Sequence, residues 1–142
     1  MREILFKAKR IDNGEWVEGT PIFDYRDEQW RIITQLDYST GTCITSDSSP
    51  RVIAKTICQF TGLYDKNGKK IWENDIVIYD NSPYIAYCEP HKGQIIHRHG
   101  CLCFKYWLYG SITYKSFLTD DFFEKKCEVI GNIFDNADLV KG

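Results

Sequence analysis

The sequence predicts a mainly β protein built from short antiparallel strands and hairpins. Short apolar runs rich in β-branched and aromatic residues recur along the chain, and turn residues such as Asn-Gly and His-Gly separate them. Helix signals are scarce, and only one or two short helices are expected, near the C-terminus. Because the strands do not alternate with long helical patterns, the sequence does not favour a parallel α/β sheet.

The first predicted hairpin joins residues 3–10 and 15–23. Asn13-Gly14 lies between the two runs and supplies the positive φ angles of a tight turn. Pro21 in the second run predicts an edge position, because proline cannot donate a hydrogen bond to a strand ladder.

The next segments are less regular. Residues 29–36 predict a third strand, whereas residues 37–50 are dense in Ser, Thr, Asp and Gly and predict a loop with a short strand at 43–45. Residues 51–60 predict a further extended run.

A second Asn-Gly hairpin is predicted with its turn at Asn67-Gly68. The apolar run 76–79 after it predicts a buried strand, which Asn81, Ser82 and Pro83 end. The remaining predicted strands are 94–98 and 102–108, joined by His99-Gly100, then 111–118 and 128–134, with short helices at 119–126 and 135–140.

Length and composition favour an ordered fold. The chain has 142 residues, of which 43% are hydrophobic and 15% aromatic, so aromatic rings must build much of the core or of a contact surface. We expect an N-terminal β lobe over residues 1–58 and a barrel-like C-terminal β lobe over residues 59–142, packed together as one compact unit.

The charge is close to balanced. A net charge of −2 gives no domain-wide footprint for nucleic acid, so binding of that kind requires a local basic patch. No apolar run approaches the length of a membrane span, and the N-terminus lacks the apolar stretch of a signal peptide. We therefore expect a soluble cytoplasmic protein without a membrane partner.

The six cysteines are expected to be free thiols, because a reducing compartment does not favour disulfides. Cys58 and Cys127 lie within apolar β-like runs, where a thiol behaves as a small hydrophobic group.

Three stretches carry a family resemblance: REILFKAKRIDNGEWVEG near the start, QFTGLYDKNGKKIWENDIVIY over residues 59–79, and EVIGNIFDNADLV near the end. The chain resembles the YopX family of phage and prophage proteins, a β-rich family without an assigned biochemical activity. The resemblance implies a mobile-element protein with a small SH3-like barrel in its C-terminal part and implies no catalytic residues. One departure from the family pattern is Asn74, which stands where Gly usually precedes the Asp-Ile-Val motif. Asn also tolerates the left-handed conformation, so we expect the turn to be kept.

A metal site is the sharpest chemical hypothesis. Zinc-ligand types cluster within a short span: Cys88, His91, His97, His99, Cys101 and Cys103. The spacing is wrong for common zinc motifs, and a hairpin at His99-Gly100 would pair Arg98 with Cys101, His97 with Leu102 and Ile96 with Cys103. Such pairing splits the ligands between two faces. We therefore expect no metal and no cofactor.

Catalytic motifs are also absent from the sequence. There is no nucleophile elbow, no phosphate-cradling glycine loop and no paired-histidine zinc motif. A cysteine paired with a histidine is conceivable in the fold, but no pair is nominated. Asp120, Asp121 and Asp135 are better interpreted as helix-start residues than as a general acid and base.

Binding is the remaining class of function. A candidate nucleic-acid or partner surface joins basic residues with interleaved aromatic ones: Lys66, Lys69, Lys70, Lys92, Arg98, Lys105, Tyr106, Trp107 and Tyr109. The opposing interpretation is a solvated loop around Asn67-Gly68, where Glu73 and Asp75 cancel much of the charge. Exposed rings at strand edges would equally serve a protein interface.

The sequence thus predicts a phage- or prophage-derived protein that is not an enzyme and that acts as a protein-interaction or self-assembly module. Its partner would be another protein or a second copy of itself in a homo-oligomer. The alternative is a small β-barrel protein that binds nucleic acid, and the minor alternative is zinc binding.

Overall fold

The strands of the protein form two antiparallel sheets, which confirms the mainly β fold. The computed structural model describes residues 3–34, 49–80, 90–116 and 121–140, without side-chain detail for 121–123. The chain divides into two compact units, residues 1–60 and 61–142. No closed barrel is found among the strands of these ranges, so the SH3-like barrel stays a prediction.

The first unit is built around a sheet with the strand order β3-β2-β1-β4. Its strands are β1 (Phe6–Lys9), β2 (Trp16–Asp24), β3 (Gln29–Ile33) and the first part of β4 (Cys58–Tyr64). Ala8, Ile32 and Val52 are fully or almost fully buried and form the core of this unit. The C-terminal end of the predicted strand 29–36, and the predicted loop and short strand at 37–50, lie largely outside the described residues.

The first hairpin differs from its predicted turn. Arg10 N donates to Glu15 O at 2.9 Å, so four residues separate the closing pair. Only Gly14 has a positive φ, of 71°; Asn13 does not, so the predicted pair of positive angles was wrong. The Asn13 side chain instead accepts a hydrogen bond from Glu15 N at 2.9 Å, which stabilises the longer loop.

The sequence predicts that Pro21 lies at a sheet edge. Its strand, β2, is not an edge strand, but within the described part of the chain Pro21 itself has a partner on one side only. β2 lies between β3 and β1 in the sheet. β1 pairs with residues 16–19 of β2, and β3 pairs with residues 20–24. Among the described residues Pro21 is therefore paired on one side only, with Ile32, and its missing N–H costs no ladder bond on the other side.

The predicted extended run over residues 51–60 is interrupted by a 3-10 turn, Ala54–Thr56. Thr56 explains the interruption, because its buried hydroxyl donates to Ile53 O at 2.6 Å and accepts from Lys9 N at 2.9 Å. A local side-chain bond of this kind competes with strand pairing.

The second unit contains the rest of β4 and a sheet with the strand order β10-β6-β7-β8-β9. Its further elements are β5 (Lys70–Trp72), β6 (Asp75–Tyr79), β7 (His91–Arg98), β8 (Cys101–Leu108), β9 (Ser111–Ser116), α1 (Asp121–Lys126) and β10 (Cys127–Asn132). A 3-10 turn, Ala137–Val140, follows where the sequence predicts one more short helical turn. Residues 81–89 and 117–120, including the predicted strand end at Asn81, Ser82 and Pro83, lie outside the described ranges.

The predicted hairpin register around His99-Gly100 is confirmed. Both turn residues have positive φ angles, 50° and 79°, as a two-residue turn requires. The turn pairs Arg98 with Cys101, His97 with Leu102 and Ile96 with Cys103. Tyr109 and Gly110 form a second turn with φ angles of 49° and 78°, and it pairs Leu108 with Ser111.

The inner side of this sheet is the core of the second unit. Its fully buried centre includes Val77, Ile95, Phe104 and Cys127. On this side the Lys115 Nζ of β9 lies 3.1 Å from the Tyr79 Oη of β6, so these two long side chains bridge the two strands that separate them.

Candidate functional site

The family block, residues 59–79, uses its polar side chains to hold backbone in place. Asp65 is buried, and its carboxylate accepts hydrogen bonds from the N–H groups of Asn67, Lys69 and Val129, each at 2.9 Å. Burial disfavours the charged carboxylate, but these three donors, with the nearby Lys69 charge, outweigh it, so the pKa of Asp65 lies below its ordinary value. Asp65 therefore ties the Asn67-Gly68 turn to β10.

The second turn of the block is built in the same way. Asn74 has a φ of 68°, as predicted for the residue that replaces glycine. Its N–H donates to Ile95 O at 2.8 Å, and its side-chain oxygen accepts from Gln94 Nε2 at 3.0 Å. Buried Asp75 accepts from Trp72 N at 2.9 Å. The polar side chains of the block therefore stabilise its own turns.

A different kind of surface lies on the outer side of the second sheet. Successive residues of a strand alternate between the two sides, and paired residues share a side. Phe104 and Ile95 are paired and face the core, so Lys105 and its partners Gln94 and Tyr114 face outward. We call the outward residues of β7, β8 and β9 that are basic or that carry an exposed large apolar side chain the basic-aromatic face: Lys92, Arg98, Lys105, Trp107, Ile112 and Tyr114.

The charge of this face has one sign. Residues 90–116 contain four cations, Lys92, Arg98, Lys105 and Lys115, and no Asp or Glu. Lys115 lies on the core side with Phe104, and the other three cations belong to the face. Neither Lys92 nor Lys105 makes a side-chain hydrogen bond or ion pair with the described part of the chain. The protein as a whole is slightly acidic, so this is a local basic patch.

The aromatic groups of the face are accessible. Trp107 is 52% exposed and is paired with Ile112, which is 43% exposed. The guanidinium carbon of Arg98 lies 3.8 Å from the ring centre of Tyr114. Because β8 separates β7 from β9, the Arg98 side chain must cross β8 to reach that ring. The pair holds a cation at one place on the face.

The structure brings together only some of the residues that the sequence nominates. Lys92, Arg98, Lys105 and Trp107 share the face, and Tyr109, which is 98% exposed, lies in the turn beside it. Tyr106 lies on the core side.

The hairpin lysines form a separate group. Lys66 N donates to Cys127 O at 3.0 Å, and Lys66 Nζ pairs with Glu128 at 3.4 Å, which places this loop beside β10. Lys69 and Lys70 belong to the same hairpin. Two strands, β6 and β7, lie between β10 and β8.

Two members of the face, Ile112 and Tyr114, are not among the residues that the sequence nominates. The signal that could have found them is the Tyr109-Gly110 turn, whose two-residue register sets Ile112 opposite Trp107 and Tyr114 opposite Lys105. A second signal is the absence of Asp and Glu from residues 90–116, which indicates a basic surface although it is not part of any motif.

The zinc-ligand types do not converge in the described part of the chain. The register splits them as predicted, with His97 on the core side and Cys101 and Cys103 on the outer side. His91 also lies on the core side, where its ring centre is 5.0 Å from that of Tyr106. No group of three His, Cys, Asp or Glu side chains able to hold a metal is found among the described residues. Cys88 and Cys43 lie outside them.

The described cysteines are free, and Cys58 and Cys127 are buried. Burial, and after it the nearby Asp65 charge, raise the pKa of the Cys127 thiol to about 12. Cys127 is therefore a neutral core residue at physiological pH and not an activated nucleophile.

Comparison with known families decides the family of the chain. The family model described as YopX protein matches residues 5–141. The chain belongs to the YopX family. Among solved structures, the crystal structure of protein EF1440 from Enterococcus faecalis is similar, with 28% sequence identity and a TM-score of 0.54 over 99% of this chain and 100% of that chain. No curated protein matches the sequence. Within the described residues, no helix of this YopX chain is long and apolar enough to cross a membrane.

Proposed function

We propose that this YopX protein is a non-enzymatic binding protein and that its basic-aromatic face binds nucleic acid. The observation that carries the proposal is the placement of three cations and three exposed large apolar side chains on one outward sheet face whose strands contain no carboxylate. The sequence alone favours a protein-interaction or self-assembly module. The basic-aromatic face instead favours nucleic-acid binding over a protein-interaction module, because nucleic-acid-binding β-sheets carry cations interleaved with aromatic rings.

The two kinds of side chain have separate roles in this proposal. Lys92, Arg98 and Lys105 attract the phosphate backbone and provide an attraction that weakens with salt. Trp107 and Tyr114 offer rings on which bases stack. Neither role requires a catalytic group, a metal or a cofactor.

The wider setting is part of the same proposal. The family resemblance supports a phage or prophage protein that works in the bacterial cytoplasm. The contact between Lys115 of β9 and Tyr79 of β6, on the inner side of the sheet, supports the SH3-like barrel expected in the C-terminal part.

The test is binding of fluorescently labelled oligonucleotides, followed by anisotropy from low to high salt. With three cations, the slope of log K against log salt should be about −2 for a single strand. The double variant Lys92→Gln/Lys105→Gln should reduce the magnitude of that slope by about 1.4. Lys55→Gln, an exposed lysine of the first unit, is the matched control and should change nothing. Absence of binding at low salt would refute the proposal.

A second candidate function is self-assembly through β9, an edge strand in the described sheet. Ile112 and Tyr114 are exposed on this strand, whereas edge strands usually carry residues that discourage pairing. Light scattering across a range of concentrations tests it. An oligomer that Ile112→Lys dissociates would support assembly through β9, and a monomer at every concentration would rule it out.

A further inference from the structure

The chemistry of the basic-aromatic face also indicates which form of nucleic acid it fits. We infer that the ligand is single-stranded, with an unpaired base stacked on Trp107, and that duplex nucleic acid binds much more weakly. This inference rests on the proposed function and names the ligand class of the same face.

The number of cations is the first argument. The face carries only Lys92, Arg98 and Lys105, so it neutralises about three phosphates. Duplex binding without base contacts depends mainly on such charge neutralisation and usually uses more phosphate contacts. The electrostatic attraction of this face is therefore too small to hold a duplex tightly, and the rings must supply the rest.

The position of Trp107 is the second argument. The register that pairs Gly93 with Tyr106 continues to set Lys92 beside Trp107, and Ile112 is its partner on the other side. The indole is about half exposed between a cation and an apolar side chain. In a duplex each base is stacked on its neighbours and offers no free face, so this ring can engage only a base that is unpaired.

The third argument is the size of the face. The three strands span roughly 10 Å across, and the distance from Trp107 to Cys101 along β8 is roughly 20 Å. A duplex would rest on such a surface with little contact. A short single strand can lie along it with one base at Trp107 and its phosphates near Lys92 and Lys105.

The Arg98 side chain is held in place on this face. Its guanidinium is held 3.8 Å from the ring centre of Tyr114, so one side of that ring is already covered. We therefore assign the main stacking role to Trp107 and a phosphate contact to Arg98, with the charge held in place before the ligand arrives.

The experiment compares a fluorescein-labelled dT15 oligonucleotide with a blunt duplex of the same length at low salt. The single strand should bind about tenfold or more tightly and should quench tryptophan fluorescence. Trp107→Leu keeps an apolar side chain without a π-system and should weaken single-strand binding about fivefold or more. Trp107→Phe should retain most of the affinity while losing the quench. Tyr25→Leu replaces a ring that is 84% exposed in the first unit and serves as the control.

The outcomes separate the inference from the proposed function. Equal affinity for the duplex, or a Trp107→Leu variant that binds the single strand as well as the unmodified protein, would overturn the inference and leave nucleic-acid binding standing. Absence of binding to either oligonucleotide would overturn both.

Discussion

The turn around Asp65 and the basic-aromatic face differ in whether their charged side chains are hydrogen-bonded within the fold. Asp65 is buried and accepts three backbone hydrogen bonds, so its charge is fully used within the fold. Lys92 and Lys105 have no side-chain hydrogen bond or ion pair with the described residues, although both belong to regular strands. Charge at the turn holds the chain together, whereas charge on the face is available to a ligand.

This difference shows that residues 59–79, by which the family is recognised, and the proposed binding surface are separate regions of this YopX protein. Residues 59–79 identify the family because their turn residues determine the fold. The face lies on β7, β8 and β9, whose sequence has no comparable motif. Substitutions in the two regions should therefore affect different measurements.

The largest effect is expected for Asp65→Ala. The substitution leaves three backbone N–H groups, from Asn67, Lys69 and Val129, without their acceptor, so the free energy of unfolding should fall by about 3 kcal/mol. Urea denaturation followed by circular dichroism measures it. Lys69→Gln in the same turn is the control and should cost less than about 0.5 kcal/mol. A loss below about 1 kcal/mol for Asp65→Ala would show that the turn does not depend on this carboxylate.

The next effect is the pH dependence that Asp65 confers. Its folded pKa is lowered, so the ionised carboxylate stabilises the protein above the unfolded value of about 4, and this contribution is lost as the pH falls through the lowered pKa. Asp65→Asn should remove that part of the dependence, so the stability gap between the two proteins should narrow with acidification. Urea midpoints between about pH 6 and pH 2 measure it, and a constant gap would contradict the assignment.

A smaller effect is expected at Asn74. Asn74→Ala puts a side chain that disfavours a φ of 68° into the turn and removes the bond from Gln94, which should cost about 1 to 2 kcal/mol. Asn74→Gly loses the same bond but relieves the backbone, so it should cost less than the alanine variant. Equal costs in thermal unfolding would indicate that the left-handed backbone is not the important feature.

The smallest effect on stability is expected on the face. Lys105→Gln and Trp107→Phe should each change the free energy of unfolding by less than about 0.5 kcal/mol, because neither residue closes a buried polar network. The same variants are the ones expected to change oligonucleotide binding or fluorescence quenching. If they unfold the protein instead, the distinction between a folding region and a binding region fails.

Local chemistry explains which structural features could be predicted. A two-residue turn at His99-Gly100 allows one strand register, so the pairs from Arg98–Cys101 onward follow from the sequence. Asn74 could be predicted because few residues accept a positive φ. Where a side chain competes with the backbone, prediction failed: Thr56 produces a 3-10 turn inside the expected extended run, and Asn13 stabilises a longer loop.

The candidate face could be predicted only in part. The sequence nominates Lys92, Arg98, Lys105 and Trp107 because basic and aromatic residues are interleaved there, and alternation along the strands puts these four on one side. The sequence could not separate them from the lysines of the Asn67-Gly68 hairpin, because that separation depends on the strand order of the sheet.

The sequence by itself determined the β class and the register of the His99-Gly100 hairpin, because turn residues and side-chain alternation act over a few neighbouring residues. Only the tertiary structure decided which side of the sheet is core, that β10 pairs with β6 and that β9 remains at an edge of the described sheet. Those choices follow from pairing between residues far apart in the chain, where burial of Phe104 and Ile95 on one side leaves Trp107 and the cations on the other.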